Sequence, residues 1–425
     1  MTISYRFFAR EDDMCHRARQ LSKTQVEAFF LERESVCTIG AFDGVHLGHQ
    51  QLLHRVVGIA SSAKLRSCVV LFEPQPNEFF YRLQGRASTS DATQIQQHKP
   101  GLQAPSRLMS LREKLKAIFA AGIDSVLCLH FNESLRAMSA QAFAKTILHK
   151  LIHVDQLIIG DDFQFGKDRE GDFSGLKKLG SKYQFSVEDS SSFELTLADA
   201  NLHTSKDAQR VSSTRIRGLL QKADLRSVKR LLGRDYSLCG RVVYGNQVGR
   251  KLGFPTANVR LKRDKVPLAG VFAVSCDIYY AGNSLVEEVK GIANVGNRPT
   301  VDGKSAPILE VHLLNSGFSR SIQAECDKGL DNADRDQLVS ASLDNYAQEV
   351  AVSSSQSDHP DPRVTDRDKS VALSNEAMST DIYGCFISTR FLKFIRAEKK
   401  FDSLDELRGQ INQDVKVAKE FHGLR

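Results

Sequence analysis

Between residues 35 and about 233 the chain alternates short, unbroken apolar runs with longer stretches in which apolar positions recur every three or four residues. The runs at 35–40, 67–72, 125–131 and 156–160 have the length and content of buried strands, and 47–60, 107–121 and 140–151 carry the spacing of amphipathic helices. Strand and helix taking turns in this way predict an α/β unit with a parallel sheet covered on both faces, an architecture of the nucleotide-binding type. In such a sheet ligands sit beyond the carboxyl ends of the strands. The loops after Gly40, Phe72, Phe131 and Gly160 would meet there, and all four are rich in polar residues, Gly or Pro. A helical pair, 214–221 and 224–232, closes the unit, with Gly233 as C-cap and hinge.

Beyond Gly233 the texture changes. Strand-like runs at 236–244, 270–280, 287–295, 308–314 and 383–395 are separated by glycine-rich turns and predict a small antiparallel barrel. An amphipathic helix at 404–421 follows, with Ser403 as its N-cap. The chain therefore divides into an N-terminal segment 1–34, a parallel-sheet domain 35–233 and a barrel domain 234–425. Two stretches fit neither unit. Residues 84–106 are polar and hold Pro100 and Pro105, which predicts a long flexible loop. Residues 316–380 have too few large apolar side chains to offset their ordering entropy and are expected to be mostly disordered, with a transient helix around 335–349.

Composition narrows the class. The chain has 425 residues, where roughly 100 to 200 make a domain, and its 41% apolar content lets each unit bury a core. No apolar run approaches the roughly 18 residues that cross a bilayer. Arg6, Arg10, Glu11, Asp12 and Asp13 interrupt the N-terminus before a secretion signal could form, so a cytoplasmic protein is expected. The eight cysteines (Cys15, Cys37, Cys68, Cys128, Cys239, Cys276, Cys326, Cys385) are scattered without a CxxC pair, which favours buried reduced thiols over a disulfide or zinc framework. The net charge is +7, with Lys and Arg interleaved among acids; anionic small substrates explain it as well as nucleic acid does.

The first chemical signature is Phe42-Asp43-Gly44-Val45-His46-Leu47-Gly48-His49. His46 and His49 lie three apart at the start of a predicted helix, so both imidazoles fall on one face beside unpaired backbone N–H groups, a corner that attracts phosphate. Gly44 permits the tight strand-to-helix turn and Gly48 leaves room for close approach of a ligand. By itself an HxxH pair reads more readily as a surface or metal pair, although zinc needs further ligands and none stand nearby in sequence. The run Val211-Ser212-Ser213-Thr214-Arg215-Ile216-Arg217 opens another helix with three hydroxyls and two guanidinium groups, a second phosphate clamp or a plain helix cap.

With Thr38-Ile39-Gly40-Ala41 before the first signature, and with Phe72-Glu73-Pro74-Gln75-Pro76, Phe131-Asn132 and Gly160-Asp161-Asp162-Phe163-Gln164-Phe165-Gly166 in order, the sequence resembles the nucleotidyltransferase half of bifunctional riboflavin kinase/FAD synthetase enzymes of the prokaryotic type. The resemblance implies a Rossmann-like domain in which the phosphate of FMN attacks the α-phosphorus of ATP and expels pyrophosphate. A phosphate monoester is already an anion near neutral pH, so the reaction asks for positioning and charge stabilisation. His46, His49, Ser213 and Arg217 suit those roles. Gly40, Phe42, Asp43, Gly44, Gly48, Ser212 and Thr214 are expected along the phosphates, and Asn132 and Asp162 beside the flavin.

The second signature is Gly253-Phe254-Pro255-Thr256-Ala257-Asn258, preceded by Gly245, Gly249, Arg250 and Lys251. Thr256 and Asn258 are two apart, so in an extended segment they share a face, and their oxygens are hard donors suited to Mg²⁺. Glu310 stands in a strand-like run, where a carboxylate needs a partner, a job or water; His312 shares its face. With Gly291-Ile292-Ala293-Asn294-Val295-Gly296-Asn297-Arg298-Pro299-Thr300, Tyr383-Gly384 and Arg396-Ala397-Glu398-Lys399-Lys400-Phe401, this half is similar to the riboflavin kinase part of the same enzymes. That likeness implies a six-stranded barrel in which Thr256 and Asn258 bind magnesium and Glu310 is the base for the ribityl 5′-hydroxyl. ATP phosphates would lie along Gly245, Lys251 and Gly253, and the flavin near Arg396. Stretches 316–380 and 84–106 are longer than the family pattern. Two rivals are a transferase for another phosphorylated small molecule with the barrel as a binding module, and an RNA-binding protein; the latter lacks an aromatic-basic stacking motif.

Overall fold

Alternating burial organises both halves of the chain. The computed structural model describes residues 4–10, 18–31, 33–87, 106–160, 163–190, 211–244, 253–279, 285–299, 305–314 and 382–424. The first half runs β1 (Tyr5–Arg10), β2 (Ala18–Leu21), α1 (Lys23–Leu31), β3 (Ser35–Ile39), α2 (Leu47–Ala63), β4 (Arg66–Phe72), α3 (Pro76–Ala87), α4 (Leu111–Ala120), β5 (Ser125–Leu129), α5 (Glu133–Arg136) and α6 (Ala140–Phe143). A π-helical turn (Ala144–His149) continues α6, and β6 (Val154–Ile159), α7 (Phe173–Tyr183), β7 (Ser186–Asp189), α8 (Ser213–Gln221) and α9 (Leu225–Leu232) follow. The strands form one sheet in the order β2-β1-β5-β4-β3-β6-β7, parallel from β5 to β7. Every residue of β3 and β5 is buried, as a strand covered on both faces requires. Val36 of β3 packs with Leu53, Val56 and Ile118 on one side, and the next residue, Cys37, packs with Phe143 and Ile147 on the other.

Strand order reverses between β3 and β6. The carboxyl ends of these two strands therefore open the crevice where a doubly wound sheet takes its ligand. The helix after β3 is the one that carries His46 and His49 at its start.

The sheet extends further than the expected boundary at Ser35. Tyr5–Arg10 adds an antiparallel strand to β5. Phe7 and Ala9 are buried, and the Phe7 ring meets Phe30 of α1 edge-on at 5.2 Å. The two arginines that break the apolar run lie between or beside these inward positions, and Arg10 pairs with Asp124 at 3.1 Å. The loop expected at 84–106 also begins late: Gln84 to Ala87 complete α3, and residues 88–105, like those at 315–381, lie outside the described residues.

The second half is a closed antiparallel barrel in the order β10-β11-β12-β9-β8-β13. Its strands are β8 (Ser237–Val243), β9 (Ala257–Arg260), β10 (Gly270–Tyr279), β11 (Leu285–Pro299), β12 (Ser305–Leu313) and β13 (Phe386–Arg396), followed by α10 (Leu404–His422). Ser403 caps α10 by accepting from the Glu406 N–H at 3.1 Å. Ala418 of this helix covers Val271, Ala273, Ile292 and Leu314 on the barrel's outer face. Several contacts join the halves. The β9–β10 connection sends Arg263, whose side chain is fully buried, to the carbonyl of Leu108 at 3.1 Å and into an ion pair with Glu113 of α4. Glu113 also accepts from the Cys239 N–H of β8 at 2.7 Å.

Candidate active sites

The turn between β3 and α2 is conformationally demanding. Phe42, Gly44 and Val45 take φ of 45°, 89° and 38°, the left-handed region that favours glycine. A β-carbon on Gly44 would also lie 2.7 Å from Leu108 Cδ1. Asp43 holds this turn in place. Its carboxylate, 2% exposed, accepts from the backbone N–H groups of Leu108 and Met109, both at 3.0 Å, and pairs with Arg217 Nη2 at 2.7 Å. Its carbonyl accepts from the Ser213 hydroxyl at 2.7 Å. Arg217 Nε donates to Ser106 O at 2.7 Å, so one guanidinium binds the start of α8 to both the histidine turn and the segment entering α4. Arg234 donates to the carbonyls of Gly44 at 2.6 Å and Val45 at 3.0 Å, and Gln50 to Val45 at 2.8 Å. A buried turn needs such partners for its polar groups.

His46 is the N-cap of α2. Its Nδ1 accepts from the His49 N–H at 3.3 Å, so the neutral ring carries its proton on Nε2. The two imidazoles stack, with centroids 3.7 Å apart and planes at 14°. His49 Nδ1 is buried and has no hydrogen-bond partner among the described residues. Burial, then the neighbouring His46 and Lys114, hold the His49 pKa well below the usual histidine range. Lys114 lies under the turn, 1% exposed, and its ammonium donates to Ala41 O at 2.6 Å. Burial lowers its pKa against the pull of Asp43 and Glu73. Arg107 pairs with Glu73 at 2.7 Å and with Glu78, fixing the start of α3 beside the same crevice.

The remaining expected residues of this half fall into place unevenly. A β-carbon on Gly40 would sit 3.0 Å from the Phe42 ring, and one on Gly48 would sit 3.4 Å from His46 Nδ1. Ser212 caps α8 by accepting from the Arg215 N–H at 3.3 Å, while Thr214 is exposed on the first turn. The Asn132 side-chain oxygen caps α5, accepting from the Leu135 N–H at 3.0 Å. Asp162 lies outside the described residues.

The barrel site is built by register. Asn258 of β9 stands directly opposite Glu310 of β12, and Glu310 stands opposite Asn294 of β11. Their neighbours Ala257, Val259, Leu309, Val311, Ala293 and Val295 fill the barrel core, so the three polar side chains form a row on its outer face. Thr256 shares the face of Asn258, two residues before it, and both are half-buried. His312 Nδ1 meets the Pro255 carbonyl at 2.8 Å, and its ring meets Phe254 at 5.7 Å, which ties the 254–256 turn to β12. Burial lowers the His312 pKa, keeping the ring neutral near neutral pH. Gly253 opens the turn at φ 88°; Gly245 and Lys251 lie outside the described residues. Arg396, expected beside flavin, is taken up by the chain itself. Its Nη2 pairs with Asp414 at 2.8 Å, Nε donates to both carboxylate oxygens, and Nη1 donates to Ala397 O at 2.9 Å.

Residues 30–201 match the model of the FAD synthetase family, and residues 232–328 and 359–422 match that of the riboflavin kinase family. The chain belongs to the bifunctional riboflavin kinase/FMN adenylyltransferase family. A bifunctional riboflavin kinase/FMN adenylyltransferase from Haemophilus influenzae is 34% identical over 384 residues, 90% of this chain and 93% of that protein. The same-named protein of Escherichia coli K12 is 34% identical over 92% of this chain and 93% of its own length, and that of Pseudomonas fluorescens is 44% identical over 67% and 79%. A crystal structure described as a macrolide-efflux protein from Streptococcus pneumoniae superposes at TM-score 0.57 and 22% identity, covering 91% of this chain and 94% of that one. At that identity the likeness concerns the fold alone. Among the described residues no helix is long and apolar enough to cross a membrane, and no three His, Cys, Asp or Glu side chains gather into a metal site.

Three site residues escape a reading of the sequence, and a fourth, Asp43, is read there without its partners. Asp43 was legible as part of a motif, but its hydrogen bonds to Leu108 and Met109 cross 65 and 66 residues. Arg234 looks like any surface arginine after a helix. Lys114 did leave a signal: it falls four residues before Ile118 on the apolar stripe of α4, where a charge is out of place. Asn294 lies within the 291–300 run, with nothing near it in sequence to give it a role.

Proposed function

We propose that the chain phosphorylates riboflavin on the barrel and adenylates the resulting FMN on the parallel sheet, using ATP in both steps. The observation that carries this reading is the pairing of each half's motif with a matching constellation. Two stacked imidazoles, Ser213 and Arg217 converge at the sheet's reversal point, while Asn258 and Glu310 face each other across two barrel strands.

On the sheet, an FMN phosphate oxygen forms its bond to the α-phosphorus of ATP as the bond to the bridging oxygen breaks and pyrophosphate leaves. No proton has to be removed from the nucleophile. His46 Nε2–H, His49 and Arg217 Nη1 supply donors to the phosphate oxygens, at a helix start whose dipole adds to them, while the Ser213 hydroxyl, whose proton goes to the Asp43 carbonyl, holds that helix start against the turn. A neutral His49 next to a buried ammonium suits a site that must take up a polyanion. Gly40 and Gly44 let the turn pack closely against Phe42 and Leu108.

On the barrel, Glu310 accepts the proton of the ribityl 5′-hydroxyl while that oxygen bonds to the γ-phosphorus and ADP departs. An alcohol has a very high pKa, so a positioned carboxylate helps here as it would not on the sheet. The Thr256 hydroxyl and Asn258 carboxamide fit Mg²⁺ by their chemistry: two hard neutral oxygens on one face, leaving the other positions to water and phosphate. The ion, when bound, would neutralise charge on the transferring phosphoryl group. His312 holds the 254–256 turn so that both oxygens keep their place. The cysteines of the described residues are all free thiols, which suits a reducing cytoplasm.

Chromatography of products from riboflavin, ATP and magnesium tests the reading. FMN should rise first and FAD later at its expense. Failure of the folded protein to form FMN, with FAD still made from supplied FMN, would assign the barrel a binding role only.

A further inference from the structure

The outer face of β11 carries a group that neither reaction, as described, employs. Asn294 Oδ1 is buried and accepts from nothing among the described residues. A buried acceptor without a donor is uncommon and calls for a partner that arrives with a ligand. Its surroundings define that ligand. Glu310 lies directly opposite on β12, one strand spacing or about 4.8 Å away in the pairing direction. Two residues along the same face of β11 is Gly296, and the Glu398 side chain crosses where a β-carbon there would stand. Burial, together with the nearby Glu310 and against the pull of Arg396, raises the Glu398 pKa. In the other direction Ile292 is covered by α10. Asn294 Oδ1 is thus a buried, unpartnered acceptor on a face where the Glu310 and Glu398 carboxylates are its neighbours.

A row of acceptors matches a chain of donors. One strand spacing is also the span of roughly three carbon–carbon bonds, the distance from a polyol's terminal hydroxyl to those in the middle of the chain. We propose that Asn294 accepts a hydrogen bond from an internal hydroxyl of the ribityl chain and so places the terminal 5′-hydroxyl at Glu310. Asn294 is then a determinant of specificity for the polyol arm of the flavin. The inference rests on Glu310 being the phosphorylation base.

The test uses the full chain and three variants, Asn294→Ala, Asn294→Asp and Glu310→Gln. Riboflavin phosphorylation is followed as KM and kcat for each substrate, and binding of lumiflavin, which keeps the ring but has a methyl in place of the polyol, is measured alongside. Asn294→Ala should raise the riboflavin KM about 10- to 100-fold, because a site built around a hydroxyl loses its partner. The KM for MgATP and the lumiflavin affinity should stay within about twofold. Asn294→Asp, which keeps an acceptor oxygen, should restore most of the riboflavin KM. A thermal melt and FMN adenylylation on the same preparations check folding; if Asn294→Ala fails to fold, Asn294→Val, which suits a strand and has no acceptor, takes its place with the same expectation. A KM shift confined to MgATP would assign Asn294 to the metal and nucleotide instead and overturn the proposal, as would equal weakening of lumiflavin. If Glu310→Gln abolishes phosphorylation while Asn294→Ala changes nothing, this inference alone fails. If Glu310→Gln is harmless, the site assignment beneath it fails.

Discussion

The sheet site and the barrel site place their chemistry in opposite ways. On the sheet, the groups arrive from distant parts of the chain and are held by one buried carboxylate: Asp43 joins the turn after β3, the segment entering α4 and the start of α8. On the barrel, the groups stand on adjacent strands, and strand register does the positioning, with Asn258, Glu310 and Asn294 in one row. The difference matches the nucleophiles. An FMN phosphate arrives ionised and needs converging donors around a growing negative charge, which no single element can supply. In the proposed barrel reaction an alcohol needs one base and one cation at a fixed separation, which a pair of hydrogen-bonded strands would suit. The two sites should therefore fail independently, and they should differ in how they fail.

The largest effect is expected on the barrel. Glu310→Gln keeps the shape and removes the proposed base, and should slow FMN formation about 10²- to 10⁴-fold while FAD formation from supplied FMN continues at its normal rate. Next comes the sheet: His49→Ala should lower FAD formation about 10²- to 10³-fold with FMN formation unchanged. Steady-state rates of each half-reaction measure both.

A smaller effect sharpens the role of Arg396. If it clamps α10 rather than meeting flavin, Arg396→Met should lower stability by about 1–3 kcal/mol, since Asp414 at 3% exposure is left without its cation. Urea unfolding would report the loss, and Asp414→Asn in the same background should recover part of it. A riboflavin KM that rises with no change in stability would return Arg396 to the flavin.

The smallest effect is a pH dependence. Because the folded His49 pKa lies well below that of the unfolded chain, the unfolded state takes up a proton first as pH falls below about 6.5, and stability declines there by at most about 1.4 kcal/mol per pH unit. Above that window the residue is neutral in both states and has no effect. In His49→Gln the decline should be shallower, as thermal melts between pH 5 and 8 would show.

How much of this could be read from the chain depends on the range of the interactions. Helix starts were legible because caps are local: Ser403, Ser212 and Asp224 each accept from an N–H three residues on. Buried strands were legible from their unbroken apolar runs, but β1 was not, since Tyr5, Arg6, Phe8 and Arg10 surround its two inward residues. The barrel's polar row follows from alternation around Glu310, yet its alignment with Asn258 and Asn294 depends on which strands pair. The Asp43 hub was beyond reach for the same reason: its partners are set by the packing of α4 and α8, and nothing near Asp43 in sequence announces them.

The most direct test of two independent sites is a crossed measurement of both half-reactions in Glu310→Gln and His49→Ala, each with folding verified by thermal denaturation. The account predicts that each variant loses one activity and keeps the other within about twofold of the parent. Parallel loss of both activities in either folded variant would contradict it.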